Sequence, residues 1–321
     1  MKKYVNSITY IAILSTFLGC EDIIEDDITD DLITVIAPLN DAEIEGNSVQ
    51  FRWNQVDGAD EYRIQIANET NNRIIIDSLV QSSVFDLTIN PGNYKWRVRG
   101  ENFAYQTSYS FDSSFKVFSS TDLSQQVVEL NTPVNNFYSN TYAMTFIWQG
   151  IQTATFYKFQ ILKVDNSNET VVFEDTNVLD TSITLGQTNL TEDAEYIWQV
   201  SAENETSFTD YFRRRFFIDT QNPPAPNLIS PTNGQVFNIN QNITFSWNFN
   251  NDTGNIQSGI SSTIEVASDE NFGNILFSES LVDQTIDLTI NTAGSYFWRV
   301  KGNDGAGNEG QFNSSGRFTV N

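Results

Sequence analysis

The sequence predicts an all-β protein, built as three tandem antiparallel β-sandwiches behind a short targeting segment. Three observations predict it. The six tryptophans fall in pairs, Trp53 and Trp96, Trp148 and Trp198, Trp247 and Trp298; first members lie 95 and 99 residues apart, and second members 102 and 100. Apolar and polar residues alternate with period two around these tryptophans, as strands buried on one face require. Turn-forming Asn, Asp, Gly and Ser separate the short runs, and nothing beyond the amino-terminal segment keeps a 3.6-residue period.

The chain opens with Lys2 and Lys3, followed by a mostly apolar stretch from Ile8 to Leu18. Eleven residues are too few to span a bilayer but suit the core of a secretory signal. The stretch runs into Phe17-Leu18-Gly19-Cys20, and Cys20 is the single cysteine, so no intramolecular disulfide can form. A lone Cys after a small residue at this place resembles a bacterial lipobox, with Phe17 standing where Leu is usual. That resemblance implies cleavage after residue 19 and acylation of Cys20; several acyl chains anchor a protein stably where one does not. Residues 20–32 then hold seven acids, Glu21, Asp22, Glu25, Asp26, Asp27, Asp30 and Asp31. Like charges extend a chain, so this segment reads as a solvated tether. Its position also resembles the acidic export signal of Bacteroidota-type outer-membrane lipoproteins, which implies an outer-membrane location facing the cell exterior.

The repeats follow over residues 33–118, 130–219 and 227–321. Each opens with Pro-x-Asn, at Pro38, Pro133 and Pro231, which precedes the first Trp by 15, 15 and 16 residues. Strands are expected at Val49–Trp53, Met144–Trp148 and Ile243–Trp247, and next at Tyr62–Ile66, Tyr157–Ile161 and Thr263–Val266. Short apolar runs come after them at Ile74–Ile76, Val171–Phe173 and Ile275–Phe277. The best-kept segment is Tyr94-Lys95-Trp96-Arg97-Val98, matched from Tyr196 and Tyr296, and Phe115, Phe216 and Phe318 mark a final strand. Ser119–Glu129 reads as a polar, bending linker and Asn222–Pro226 as a stiff polyproline-type spacer. The third unit carries an insertion at Asn250–Ser258.

These residues resemble fibronectin type III, immunoglobulin-like domains. The Trp on the second strand, the Tyr opening the sixth, and the stretch Tyr94–Asn102 carry the resemblance, which covers about residues 33–321. It implies that Tyr94, Tyr196 and Tyr296 form tyrosine corners. It implies little about function, because this sandwich hosts unrelated activities.

Composition limits the chemistry. The formal charge is −24 and histidine is absent. Such an acidic chain is a poor partner for nucleic acid. Without histidine there is no Ser-His-Asp or Cys-His catalysis and no His-ligated zinc or haem. No pair of carboxylates stands out for glycoside hydrolysis, and modules of this size leave no room for a catalytic domain, so the expectation is not an enzyme. Gly305–Gly310 fits G-x-G-x-x-G but precedes a strand, so it reads as a hairpin loop rather than a dinucleotide site. The acidic and amide loops at Asn250–Asp252 and Asp269–Asn271 lack the spacing of an EF-hand; calcium is the alternative to a reading without metal or cofactor. Arg213–Arg215 is expected to pair with nearby acids.

Loop aromatics are the candidate ligand-binding residues. Phe103, Tyr105 and Tyr109 flank the last turn of the first unit, and Phe208 and Tyr211 are placed equivalently in the second. Phe137, Tyr138 and Tyr142 fall in an early loop of the second unit, whereas the third has no ring in its Gly-rich counterpart. Exposed rings stack on sugars or anchor protein partners; rings at junctions only pack. The expected function is a lipid-anchored surface binding or accessory protein with a protein partner. The alternative is a glycan-binding lipoprotein of a polysaccharide-utilisation system.

Overall fold

The first repeat folds as β1 (Val35–Ala37), β2 (Ala42–Glu45), β3 (Ser48–Trp53), β4 (Glu61–Asn68), β5 (Ile74–Val80), β6 (Val84–Thr88), β7 (Gly92–Glu101) and β8 (Ser113–Phe118). The second contains β9 (Leu130–Thr132), β10 (Phe137–Ser139), β11 (Met144–Trp148), β12 (Phe156–Asp165), β13 (Asn168–Val178), β14 (Ser182–Leu185), β15 (Glu195–Glu203) and β16 (Phe212–Ile218). The third contains β17 (Asn227–Ser230), β18 (Gln235–Phe237), β19 (Asn242–Asn248), β20 (Ile260–Ala267), β21 (Ile275–Leu281), β22 (Thr285–Thr289), β23 (Gly294–Asp304) and β24 (Gly316–Val320). This computed structural model describes residues 25–250 and 254–321. The signal segment, Cys20, Glu21, Asp22, Asn251 and Asp252 therefore lie outside the described residues.

Each repeat is a sandwich of a three-stranded and a five-stranded sheet. The small sheets run β1-β3-β6, β9-β11-β14 and β17-β19-β22; the large ones run β2-β8-β7-β4-β5, β10-β16-β15-β12-β13 and β18-β24-β23-β20-β21. The opening strand is split. In the first repeat β1 pairs with β3 in the small sheet, and the chain then crosses at Pro38 to place β2 beside β8 in the large one. Proline cannot donate to a ladder, so it suits the crossing point. In the second and third repeats the crossed half, β10 or β18, runs parallel to the last strand.

The cores follow from the alternation. Along β3 every second residue is buried, Val49, Phe51 and Trp53, and along β7 the buried set includes Tyr94, Trp96 and Val98. All six tryptophans are buried. A phenylalanine on the second strand meets the second Trp in each core: Phe51 and Trp96 at 5.1 Å, Phe146 and Trp198 at 5.4 Å, Phe245 and Trp298 at 5.2 Å between ring centroids. The tyrosine corners are formed at Tyr196, whose hydroxyl donates to Glu192 O at 2.9 Å, and at Tyr296, which donates to Thr292 O at 2.7 Å. Burial pushes the Tyr196 phenol up to about 12. Each corner ring stacks on the last-strand Phe, and Tyr94 does the same on Phe115.

The described residues fall into two compact units. The first takes those of Met1–Glu43, Gln50–Leu87 and Gly92–Lys116; the second takes Ile44–Val49, Thr88–Pro91 and Val117–Asn321.

The segments before each repeat are more structured than their composition suggests. In the expected tether Ile28 is buried, as is Ile33 just beyond it, Asp31 N donates to Ile28 O, and Asp27 accepts hydrogen bonds from Thr29. Two isoleucines gain more by leaving water than the neighbouring acids lose, because those acids stay at the surface. In the expected polar linker, Leu123 and Val128 belong to the second core. In the proline spacer, Pro223 and Pro226 are buried.

Candidate functional site

The turn that follows the sixth strand of each sandwich is built on one side chain. After β7, Asn102 Oδ1 accepts from Ala104 N and Tyr105 N, closing the turn. Its Nδ2 donates to Asp26 O at 2.9 Å and Gly58 O at 2.8 Å, holding the incoming chain against the loop after β3. After β15, Asn204 repeats this: its Oδ1 accepts from Thr206 N and Ser207 N, and its Nδ2 donates to Thr121 O and Thr153 O. After β23 the residue is Asp304, whose Oδ1 accepts from Ala306 N and Asn308 N; Asn308 Nδ2 then supplies the donor to Asp219 O at 2.7 Å.

Two residues beyond the last of these N–H groups, the chains realign. Thr107 and Gly100 bond through Thr107 N and Oγ1, Thr209 and Ala202 do likewise, and Gly310 N donates to Gly302 O. This register places Tyr109, Tyr211 and Phe312 at one equivalent position, two residues beyond Thr107, Thr209 and Gly310. It corrects two expectations. Phe208 is the counterpart of Gln106 and not of an aromatic in the first repeat. The third repeat does carry a ring at the shared position, Phe312, displaced by one residue because its turn is longer. The common offset from the second Trp, 13, 13 and 14 residues, was the available signal.

The shared position lies on the outer face of the five-stranded sheet, not at a loop tip. The Arg97 and Arg99 guanidinium carbons stand 4.3 and 4.7 Å from the Tyr109 ring centre. Arg299 stands 4.0 Å from Phe312 and 3.9 Å from Phe272, so it lies between two rings. Tyr211 lies beside Lys158, Glu174 and Glu203, and burial raises its phenol above the ordinary range. Around Tyr109 the face is an ion-pair lattice: Arg63 reaches Glu101 at 2.7 Å and Asp77 at 3.2 Å, and Arg99 reaches Glu101 at 2.8 Å. Desolvation works to raise Glu101, but the hydrogen bonds from Arg63 and Arg99 hold it below the usual range.

The other candidates separate. Phe103 is 93% exposed at the tip of the first turn and Tyr105 is 39% exposed beside it; Phe208 is 64% exposed and Tyr211 36%. Phe137 and Tyr138 are not in a loop but on β10, where Tyr138 stacks on Phe217 at 4.6 Å. Tyr142 is partly buried against the second core and donates to Asp193 at 2.8 Å. Arg213 and Arg215 pair with Glu169 and Glu195, while Arg214 bonds the carbonyls of Asn131 and Pro133.

The G-x-G-x-x-G segment is the turn between β23 and β24. Gly307 has φ +94°, and a Cβ on Gly310 would meet Pro223 O at 2.6 Å. Its glycines serve backbone geometry and the approach of the preceding segment. Asp269 is occupied by its own turn, accepting from Asn271, Gly273 and Asn274 N–H groups. Among the described residues no three His, Cys, Asp or Glu side chains group as metal ligands. No helix among them is long and apolar enough to cross a membrane.

No family model matches the sequence, and no curated protein matches it. Among solved structures the chain is similar to the FN1–FN3 domains of chicken CNTN1, at 13% identity and TM-score 0.44, over 90% of this chain and 97% of that one. It is also similar to the fibronectin(III)-like modules of Clostridium thermocellum CbhA, at 12% identity and TM-score 0.38, over 60% and 94%. Both are likenesses of fold. The strand pairing itself makes the chain three tandem fibronectin type III-like sandwiches: the fourth strand of each, β5, β13 or β21, pairs with the third in the five-stranded sheet, whereas in the immunoglobulin constant arrangement it joins the sheet of the first, second and fifth strands.

Proposed function

We propose that this chain is a non-enzymatic outer-membrane lipoprotein, acylated on Cys20, that faces the cell exterior and binds a protein partner through the outer faces of its large sheets. The observation that carries the binding reading is the ring repeated at Tyr109, Tyr211 and Phe312. In the first and third domains it lies against cations, and in the second beside Lys158. Aromatic and arginine side chains together are the residue types enriched where protein interfaces concentrate their energy. The lipobox-like Leu18-Gly19-Cys20 and the acids that follow support the anchored, exported reading.

Photo-crosslinking residues placed at 109, 211 and 312 in living cells test the binding face. A discrete protein adduct is expected from at least one position. Cys20→Ser tests the anchor: release of the protein or accumulation of uncleaved precursor is expected, and mature membrane-bound protein would contradict it. Alanine at Glu21, Asp22, Glu25, Asp26, Asp27, Asp30 and Asp31 tests export, with loss of sensitivity to protease added to whole cells as the expected result. Glycan binding is a second reading, favoured by the open ring of Phe208. Retention on a polysaccharide column that Phe208→Ala abolishes, without any protein adduct, would select it.

A further inference from the structure

We propose that the turn after β7, through Phe103 and Tyr105, docks on the zwitterionic headgroup surface of the bilayer that holds Cys20. This rests on the acylation reading above. Asn102 binds Asp26 O, so the incoming chain is fastened beside this turn. Cys20 precedes Asp26 by six residues, which span at most about 20–22 Å when fully extended. The turn is thus confined close to the anchored surface. Phe103 is the next residue after Asn102, and its ring is 93% exposed. Asn102 Oδ1 also holds Tyr105 N at 2.7 Å, so the rings project from a fixed turn.

The comparison within the chain points the same way. At the matching positions after Asn204 stand Glu205 and Ser207, and between Asp304 and Asn308 there is no ring at all. Only in the first domain do rings stand at these turn positions; the second domain's exposed Phe208 comes one residue later, where the first has Gln106. Tyr105, with one polar and one apolar end, is the kind of ring that settles at the membrane–water interface, and the exposed Phe103 ring beside it adds apolar area that contact with the bilayer takes out of water. The charge beside them selects the surface: Asp26, Asp27, Asp30 and Asp31 would be repelled by an anionic leaflet.

The test uses the acylated full chain reconstituted into phosphatidylethanolamine–phosphatidylcholine vesicles whose acyl chains carry bromine. The six native tryptophans are buried, so a Phe103→Trp variant adds one exposed reporter, and Val282→Trp, at an 84% exposed site in the third domain, serves as its reference. Emission from position 103 is expected to shift to shorter wavelength and lose intensity to the brominated chains, while position 282 is unaffected. Adding phosphatidylglycerol should weaken the quenching. A Phe103→Trp protein that pellets with the vesicles yet is unquenched overturns the docking and leaves the anchor standing. Equal quenching at both positions overturns a contact at this turn. Quenching strengthened by phosphatidylglycerol overturns the choice of surface. Protein that carries no lipid and stays in solution overturns the anchor, and the docking with it.

Discussion

Asp304 holds in the third domain the place that Asn102 holds in the first. Both accept two backbone N–H groups of the turn that follows, but only the amide can also donate. The third domain recovers the missing donor from Asn308, which bonds Asp219 O and Asp304 Oδ2. The same join between a domain and the segment entering it is thus made with one residue or with two.

Asn102→Asp should loosen the amino-terminal segment. The turn keeps its acceptor, but the carbonyls of Asp26 and Gly58 lose their donor and face a carboxylate. The cost should be about 1 kcal/mol. Amide exchange at Asp31, whose N–H bonds Ile28 O, should accelerate. Unchanged exchange there would mean that the buried Ile28 alone holds the segment.

Asp219 gives a pH signature. Its side chain is fully buried and burial raises its pKa, against the lowering effect of bonds from Ser258 and Gln221; the neighbouring Asp304 raises it further. A raised folded-state pKa means that the folded protein holds the proton more tightly than the unfolded one. The stabilisation is full below the unfolded value near 3.8 and is lost as pH rises through the folded value. Thermal stability of the wild type relative to Asp219→Asn should therefore be greatest in acid and decline toward neutrality. A difference independent of pH would contradict this account.

Trp53→Ala removes a buried ring that meets both Tyr62 and Trp96. The cost should be about 3–5 kcal/mol, a large part of a single domain's stability. The third domain has its own core around Trp247 and Trp298, so exchange protection there should be unaffected. Joint loss of protection in both would show coupled folding.

Tyr109 and Phe103 should differ under truncation. Phe103→Ala should leave the melting temperature unchanged, since its ring touches mainly solvent. Tyr109→Ala should cost about 0.5–1 kcal/mol by removing the ring against Arg97 and Arg99. Equal effects would mean that the two rings share one environment.

The sandwich was legible because its signals are local and repeated. Trp53 and Trp96 are spaced by strand and turn lengths that recur twice, and alternation around them fixes which side is buried. The joins between segments were not legible. Asp26, Thr121 and Asp219 all present a backbone carbonyl to the same kind of donor, and a carbonyl leaves no mark on residue type. Ile28 and Leu123 were masked by polar neighbours, because one buried side chain in a charged stretch shows no period. Phe312 was missed because one extra turn residue shifts it out of step with Tyr109 and Tyr211.

The split opening strand also sets how these domains respond to force. β10 runs parallel to β16, with Phe137, Tyr138 and Ser139 paired to Phe216, Phe217 and Ile218; β18 runs parallel to β24 in the same way. In these two domains the first and last strands of the large sheet therefore leave from opposite ends. Tension applied along the chain loads that pairing in shear. All its hydrogen bonds must yield together instead of opening one after another, which makes the pairing a mechanical clamp in the second and third sandwiches.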